Sequence, residues 1–146
     1  MNGIRQATAN DLARIAEIEI FNYRLNFYPI FRNDWFYFDE LQVPGLMKQY
    51  AEQLAFTYVY DDGAVKGFIR LKGEQVEKLF VEPVLQGGGI GAKLLDYAIA
   101  EHGARFLWAL EKNTKAIAFY QRHGFRLTGD RIPEEDTAEY LVRMER

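Results

Sequence analysis

Hydrophobic and polar positions change period several times along the chain, and each change marks an element. IRQAT (4–8) reads as a short opening strand, and Thr8-x-x-Asp11 is a capping-box pattern ahead of a helix with Leu12, Ile15 and Ile18 on one side. Residues 21–43, FNYRLNFYPIFRNDWFYFDELQV, are dense in aromatic rings and hold no clean period; Pro44 then precedes a short helix through Glu52. The stretch FTYVYDDGAVKGFIRLKGEQVEKLFVEP (56–83) predicts three strands in a meander, with Asp62-Gly63 as a strong hairpin turn and Lys72-Gly73 as a weaker one. A helix over 89–101 puts Ile90, Leu94, Leu95, Ala98 and Ile99 on one face, with Gly103 just past its end. RFLWAL (105–110) is a buried-type strand, and TKAIAFYQRH (114–123) is an amphipathic helix stopped by Gly124. FRLTGDRI and EYLVRME close the chain as two more strands.

The order β-α-α-β-β-β-α-β-α-β-β predicts a mixed α/β (α+β) fold. One domain over 1–146 is expected, with a central mixed, twisted sheet of about six to seven strands flanked by helices. The crossover from strand 76–81 through helix 89–101 to strand 106–110 is expected to be parallel.

Composition narrows the chemistry. The 146 residues are 49% hydrophobic and 27% charged, with a net charge of −3, the balance of a folded globular chain with no global pull toward nucleic acid. No apolar run approaches the ~20 residues of a membrane span. No leader with a basic start and apolar middle is visible, so a cytoplasmic location and no membrane partner are expected. Cysteine and serine are both absent, which removes thiolate metal sites, a cysteine nucleophile and serine hydrolysis. The two histidines, His102 and His123, cannot build a His-rich metal site, and no metal is expected. Both fall near the C-terminal ends of their helices, where charge–dipole attraction accounts for them.

The most informative stretch is PVLQGGGIGAKLLDYAIA (83–100), which puts four glycines into five positions and runs straight into a helix. Glycine in a helix costs about 1 kcal/mol relative to alanine, so a compensating role is implied. A flexible tether is disfavoured because the helix starts at once. A phosphate cradle fits better, with bare backbone N–H groups at a helix N-terminus and the dipole adding attraction. A nucleoside-triphosphate loop fails, because Gly91-Ala92-Lys93-Leu94 displaces the lysine and lacks the hydroxyl. A dinucleotide fingerprint fits Gly87-x-Gly89-x-x-Ala92 with Glu111 about 20 residues on. It requires a tight turn off its strand, however, and Glu82 to Gln86 intervene.

A third pattern is Val81-Glu82-Pro83 followed by Gln86-Gly87-Gly88-Gly89-Ile90-Gly91, and downstream NTKAIAFYQRHGF supplies Asn113, Ala116, Phe119, Tyr120, Gly124 and Phe125. Together these motifs resemble the GNAT superfamily of acetyl-CoA-dependent N-acetyltransferases, whose signature is a strand ending in Val-x-Pro and then Gln/Arg-x-x-Gly-x-Gly/Ala. The likeness covers residue 56 to the end, and the opening IRQATANDLARIAEIE looks like the family's first strand and helix. Residues 21–52 carry no family motif. Many relatives have basic residues where this chain has Gly87 and Gly88, so backbone donors would hold more of the pyrophosphate.

The resemblance implies acetyl-CoA as co-substrate, lying where the strand ending at Val81 splays from the strand ending near Leu110. It implies pantetheine pairing with the backbone of Leu79, Phe80 and Val81, and pyrophosphate on Gln86, Gly87, Gly88, Gly89, Ile90, Gly91 and Ala92. Asn113, Ala116, Phe119 and Tyr120 complete the cofactor side, with Tyr120 near the sulfur as the proton donor. Asn113 also reads as an N-cap. For a general base, relatives often carry a glutamate at the position of Gln75; the candidate here is Glu77, expected to share a strand face with residues 75, 79 and 81. A solvated Glu77 paired with Lys66 or Lys78, Glu111, and ordered water are the alternatives.

In the aromatic run, Tyr23, Tyr28, Trp35 and Tyr37 are candidates for an acceptor wall, with core or an interface in a homodimer as the other readings. Glu134, Glu135, Asp136 and Glu139 read either as an attraction for a cationic acceptor or as a solvated turn. The function implied is acetyl transfer from acetyl-CoA directly to a primary amine of a small molecule, peptide or protein N-terminus. The alternative is a non-catalytic acyl-CoA-binding or regulatory domain.

Overall fold

The computed structural model describes residues 3–135 and 137–146. Seven strands form one mixed sheet: β1 (Ile4–Gln6), β2 (Thr57–Asp61), β3 (Val65–Lys72), β4 (Gln75–Val81), β5 (Phe106–Leu110), β6 (Arg126–Pro133) and β7 (Tyr140–Glu145). Their spatial order is β1-β2-β3-β4-β5-β7-β6. The α-helices are α1 (Leu12–Asn22), α2 (Tyr28–Phe31), α3 (Val43–Ala51), α4 (Ile90–His102) and α5 (Thr114–Arg122). The expected elements appear within a residue or two of their sequence-based bounds. Pro44 lies inside the first turn of α3 rather than before it, a place where its missing N–H leaves no bond unmade.

The aromatic segment departs from expectation in a way that explains its missing period. It is largely helical, but it runs through widened turns at Tyr23–Phe27 and Trp35–Glu40. Wide turns break the 3.6-residue repeat that periodicity detects. Its rings gather on Ala16, Ile20, Leu41 and Leu46 as a small core of their own.

The two sheet faces bury different clusters. Leu94, Leu95 and Ala98 of α4 pack on Ile69, Leu71, Val76 and Leu107, while Ile15 and Ile18 of α1 and Tyr50 of α3 pack on Val59 and Phe68. Burying each such side chain contributes roughly 1.5–3 kcal/mol, so both faces anchor their helices firmly.

One irregularity in this sheet positions everything that follows. Between β3 and β4, Arg70 pairs with Lys78 but Leu71 pairs with Val76, leaving Glu77 as an extra residue. Such a bulge bends its strand. On its other side β4 runs parallel to β5, pairing only at Gln75 with Phe106 and Val76 with Leu107. Beyond the bulge the two strands diverge, and a cleft opens between them.

Candidate functional site

Two cavities occupy the cleft, of about 780 Å³ and 680 Å³. They share Phe27, Leu79, Phe80, Asn113, Ala116 and Tyr120, so they meet end to end at the point where β4 leaves β5.

The first half is built mainly of backbone. The Glu82 N–H bonds to the Lys66 carbonyl at 2.9 Å, flanking the Gly67–Val81 pair. Antiparallel alternation then turns the N–H groups of Leu79 and Val81 away from β3, toward the cleft. The Val81 carbonyl is already taken, because the side-chain amides of Asn22 (2.9 Å) and Gln86 (3.2 Å) both donate to it. The Gln86 side chain also reaches Asn22 Oδ1 at 2.9 Å, so it braces the loop and does not face an anion.

The Gln86 N–H closes a turn on Pro83, and Lys93 is the first residue of α4 to bond back, to Gly89 at 3.0 Å. Among the described residues, the N–H groups from Gly87 to Ala92 donate to no backbone carbonyl. Gly87 and Gly89 hold φ of +90° and +86°, and a Cβ on either would meet no atom within 4 Å. Nothing in the packing excludes a side chain there; the left-handed backbone and the open cradle do. Gly91 is different, since its Cβ would sit 3.5 Å from the Phe119 ring and fill the gap between α4 and α5. Gly88 does not line the cavity. This hollow fits an anion held by main chain at a helix mouth, and Lys115 and Arg122 of α5 and His123 just past its end also line it.

At the junction, Asn113 caps α5 by accepting from the Ala116 N–H at 3.3 Å. Tyr120 packs edge-on against Phe119 and Phe125. Burial pushes its phenol well above the ordinary tyrosine value, so it stays in the donor form.

The second half is built of side chains. Tyr23 and Tyr37 line it, as expected, with Phe27, Phe31 and Phe36 beside them. Burial raises Tyr37 to about 12, with Glu134 adding to the shift. Tyr28 and Trp35 do not line either cavity: Tyr28 packs edge-on against Tyr37 and Phe38 and bonds Asp34, and Trp35 is 63% exposed. Glu134 and Glu135 line the cavity with Glu40 from a solvated turn, where the Thr137 N–H bonds the Glu134 carbonyl at 3.1 Å and Glu135 is exposed, while Glu139 pairs with Lys112 at 3.1 Å. Asp136 lies outside the described residues.

Glu77 lines this cavity, but not as the strand alternation implied. The bulge switches faces, so Val76 and Leu79 both pack beneath α4 while Glu77 turns to Arg70 on the α1 side. Its Oε1 lies 2.5 Å from the Arg70 guanidinium, so its partner is neither Lys66 nor Lys78. Glu111 is exposed and forked on Arg131, whose guanidinium holds its carboxyl below the usual range; it lines neither cavity.

Sequence reading missed four side chains here. Asn22 holds the Val81 carbonyl, Arg70 engages Glu77, and Lys78 bonds the fully buried Glu19 at 2.7 Å. A polar residue at position 19, inside the apolar face of α1, was the one available signal. Among the described residues no group of acids and histidines is placed to hold a metal ion, and no helix is long and apolar enough to cross a membrane.

Comparison with known proteins converges on one family. The family model described as acetyltransferase (GNAT) domain matches residues 53–127, just over half of the chain. A peptidyl-lysine N-acetyltransferase, YjaB of Salmonella typhimurium, is 37% identical over 71 residues, 49% of each chain. The chain therefore aligns with about half the length of the curated relatives it matches. Among solved structures, apo YjaB of Escherichia coli superposes with a TM-score of 0.74 at 20% identity, covering 97% of this chain and 95% of that one. The structure of yncA from Salmonella typhimurium, solved with acetyl-CoA, superposes with a TM-score of 0.70 at 24% identity, covering 98% and 91%. From its second strand through the cradle to the end of α5, this chain belongs to the GNAT acetyltransferase domain family.

Proposed function

We propose that this protein is an N-acetyltransferase, moving the acetyl group of acetyl-CoA directly to a primary amine within a ternary complex. The observation that carries the reading is the meeting of two unlike cavities at Leu79, Asn113 and Tyr120, one containing a glycine-rich loop of open main chain and the other walled by rings and acids. Bound acetyl-CoA supplies the activated acyl group and a thiolate leaving group.

The chain's own residues then have defined work. The N–H groups from Gly87 to Ala92 hold the pyrophosphate with the α4 dipole behind them. The N–H groups of Leu79 and Val81 pair with the pantetheine arm as an added strand would, and stand ready to receive negative charge on the acyl oxygen. Tyr120 Oη holds a proton toward the leaving sulfur. Its raised pKa weakens outright proton transfer, so its contribution is a hydrogen bond that strengthens as charge develops.

The acceptor cavity favours an ammonium on an apolar stem. Tyr23 and Tyr37 offer ring faces, and Glu40, Glu134 and Glu135 supply negative charge at its wall. A lysine side chain of a peptide meets that description, in keeping with the peptidyl-lysine acetyltransferases among the relatives.

The test is CoA release from acetyl-CoA with a panel of lysine peptides, free N-terminal peptides and small amines. Turnover with lysine peptides above the no-acceptor rate is expected. Tight acetyl-CoA binding with no turnover on any acceptor would replace this reading with an acyl-CoA-binding module.

A further inference from the structure

The buried side of the acceptor cavity holds a charge pair that the proposed reaction leaves unused. Glu19 on α1 is fully buried, and its Oε1 accepts from the Tyr50 hydroxyl at 2.6 Å and the Lys78 ammonium at 2.7 Å. Its Oε2 has no hydrogen-bond partner among the described residues. Buried polar atoms are nearly always paired, so a bare carboxylate oxygen asks for a reason. Lys78 lines the cavity with its side chain 19% exposed, against 1% for Glu19, so the lysine borders the cavity and the carboxylate stands behind it.

The charged neighbours can be assigned element by element. From α1 comes Glu19, from the turn after it Tyr23, whose Oη is 3.2 Å from Lys78 Nζ, and from α3 Tyr50. Burial pushes both phenols up, with Glu19 adding to each, so both stay protonated: Tyr50 donates to Glu19, and the Tyr23 oxygen accepts from the Lys78 ammonium. From β3 comes Arg70, which is committed to Glu77 on the same strand as Lys78. Tyr37, Glu40, Glu134 and Glu135 line the same cavity, with Tyr37 and Glu134 near enough to Tyr23 to push its phenol up further. Among the described residues, Glu19 is the carboxylate in contact with Lys78.

The geometry points to a proton relay in which Lys78 takes a proton from the arriving acceptor ammonium and passes one of its own to Glu19. It rests on the acyl-transfer reading above. One acceptor N–H bond breaks as a Lys78 N–H bond forms, and a different Lys78 proton moves along the 2.7 Å contact to the Glu19 carboxylate. The freed amine forms the C–N bond as the C–S bond breaks, and its second surplus proton goes to the departing thiolate. The Glu19 proton then returns through Lys78 to water at the cavity mouth. Ammonium and thioester thus yield amide, thiol and one released proton. Glu77, with its Oε1 held by Arg70, is not needed as the base.

Lys78→Arg separates the relay from a structural ion pair. Arginine keeps the charge and the reach to Glu19, but its guanidinium does not give up a proton. The relay predicts kcat lowered by ~10²-fold or more, with CoA affinity and the unfolding midpoint close to wild type. It also predicts that the variant's rate climbs about tenfold per pH unit toward the free amine's pKa of ~10, while the wild type levels off sooner. Wild-type kcat and pH profile in Lys78→Arg overturn the relay. Should that variant not fold, Glu19→Gln keeps a partner for Tyr50, and its kcat and pH profile decide the question in the same way. A wild type that transfers acetyl to no amine overturns the acyl-transfer reading and the relay together, whereas an active wild type matched by Lys78→Arg overturns the relay alone.

Discussion

The two halves of the cleft are built on opposite principles. The half assigned to the cofactor offers a run of free main chain, N–H groups of β4 and of the mouth of α4 left open because strands diverge and glycines carry no side chain, with side chains such as Phe119, Lys115 and Arg122 around it. The acceptor half is almost all side chain, drawn from the aromatic segment, β4, β5 and the last hairpin. Backbone recognition suits a ligand that never changes, since it depends on fold and tolerates drift in side-chain identity. Side-chain recognition suits a variable partner, since one substitution can redirect charge or shape. Tyr120 lines both halves, and in the proposed reaction it is the residue that serves the chemistry itself.

This contrast can be broken at its centre first. Tyr120→Phe removes the donor at the junction while leaving both walls intact, and kcat should fall by ~10²-fold or more, with CoA affinity little changed. Stopped-flow or steady-state CoA release measures it, and an unchanged kcat removes Tyr120 from the mechanism. Because its pKa lies above the ordinary tyrosine value, Tyr120 keeps its proton as pH rises to about 10. Any alkaline loss of rate below that pH should therefore persist in Tyr120→Phe.

The cofactor half is sharpened by Gly89→Val. A branched residue at φ +86° is strained by roughly 1–3 kcal/mol, and its side chain would project into the cradle. Calorimetric CoA affinity should drop by about tenfold or more, with acceptor specificity unaltered. Next comes the brace between the halves: Asn22→Ala strips donors from the carbonyls of Ile18 and Val81 and should lower stability by about 1–3 kcal/mol in denaturant unfolding. The smallest effect belongs to the acidic wall. Glu134→Gln with Glu135→Gln should raise KM for a lysine peptide about threefold, and that difference should fade with added salt because these charges are screened. An unaltered KM at low salt would remove both acids from acceptor recognition.

The same contrast explains what was legible beforehand. The half assigned to the cofactor lies in two contiguous motifs, 81–91 and 113–125, so the open glycine backbone at the mouth of α4 and the Asn113 cap were legible from sequence alone. The sheet was legible because alternation and turn residues agree over 56–83. The acceptor half was not, for three reasons tied to particular residues. The bulge at Glu77 breaks the alternation across it, putting Val76 on the same face as Leu79, and a period-2 reading has no way to detect it. The widened turns around Tyr23 and Trp35 erase helical period, so Tyr23 and Tyr37 could not be told from Tyr28 and Trp35. Glu19, Arg70 and Lys78 come from three separate stretches and acquire meaning only through contact.

The central claim is that bare main chain, rather than charged side chains, receives the cofactor. Amide hydrogen exchange read residue by residue with and without CoA tests it directly. The account predicts added protection concentrated at Leu79, Val81 and the run from Gly87 to Ala92, next to little change elsewhere in the sheet. CoA that binds yet leaves those amides exchanging at their free rates would contradict it.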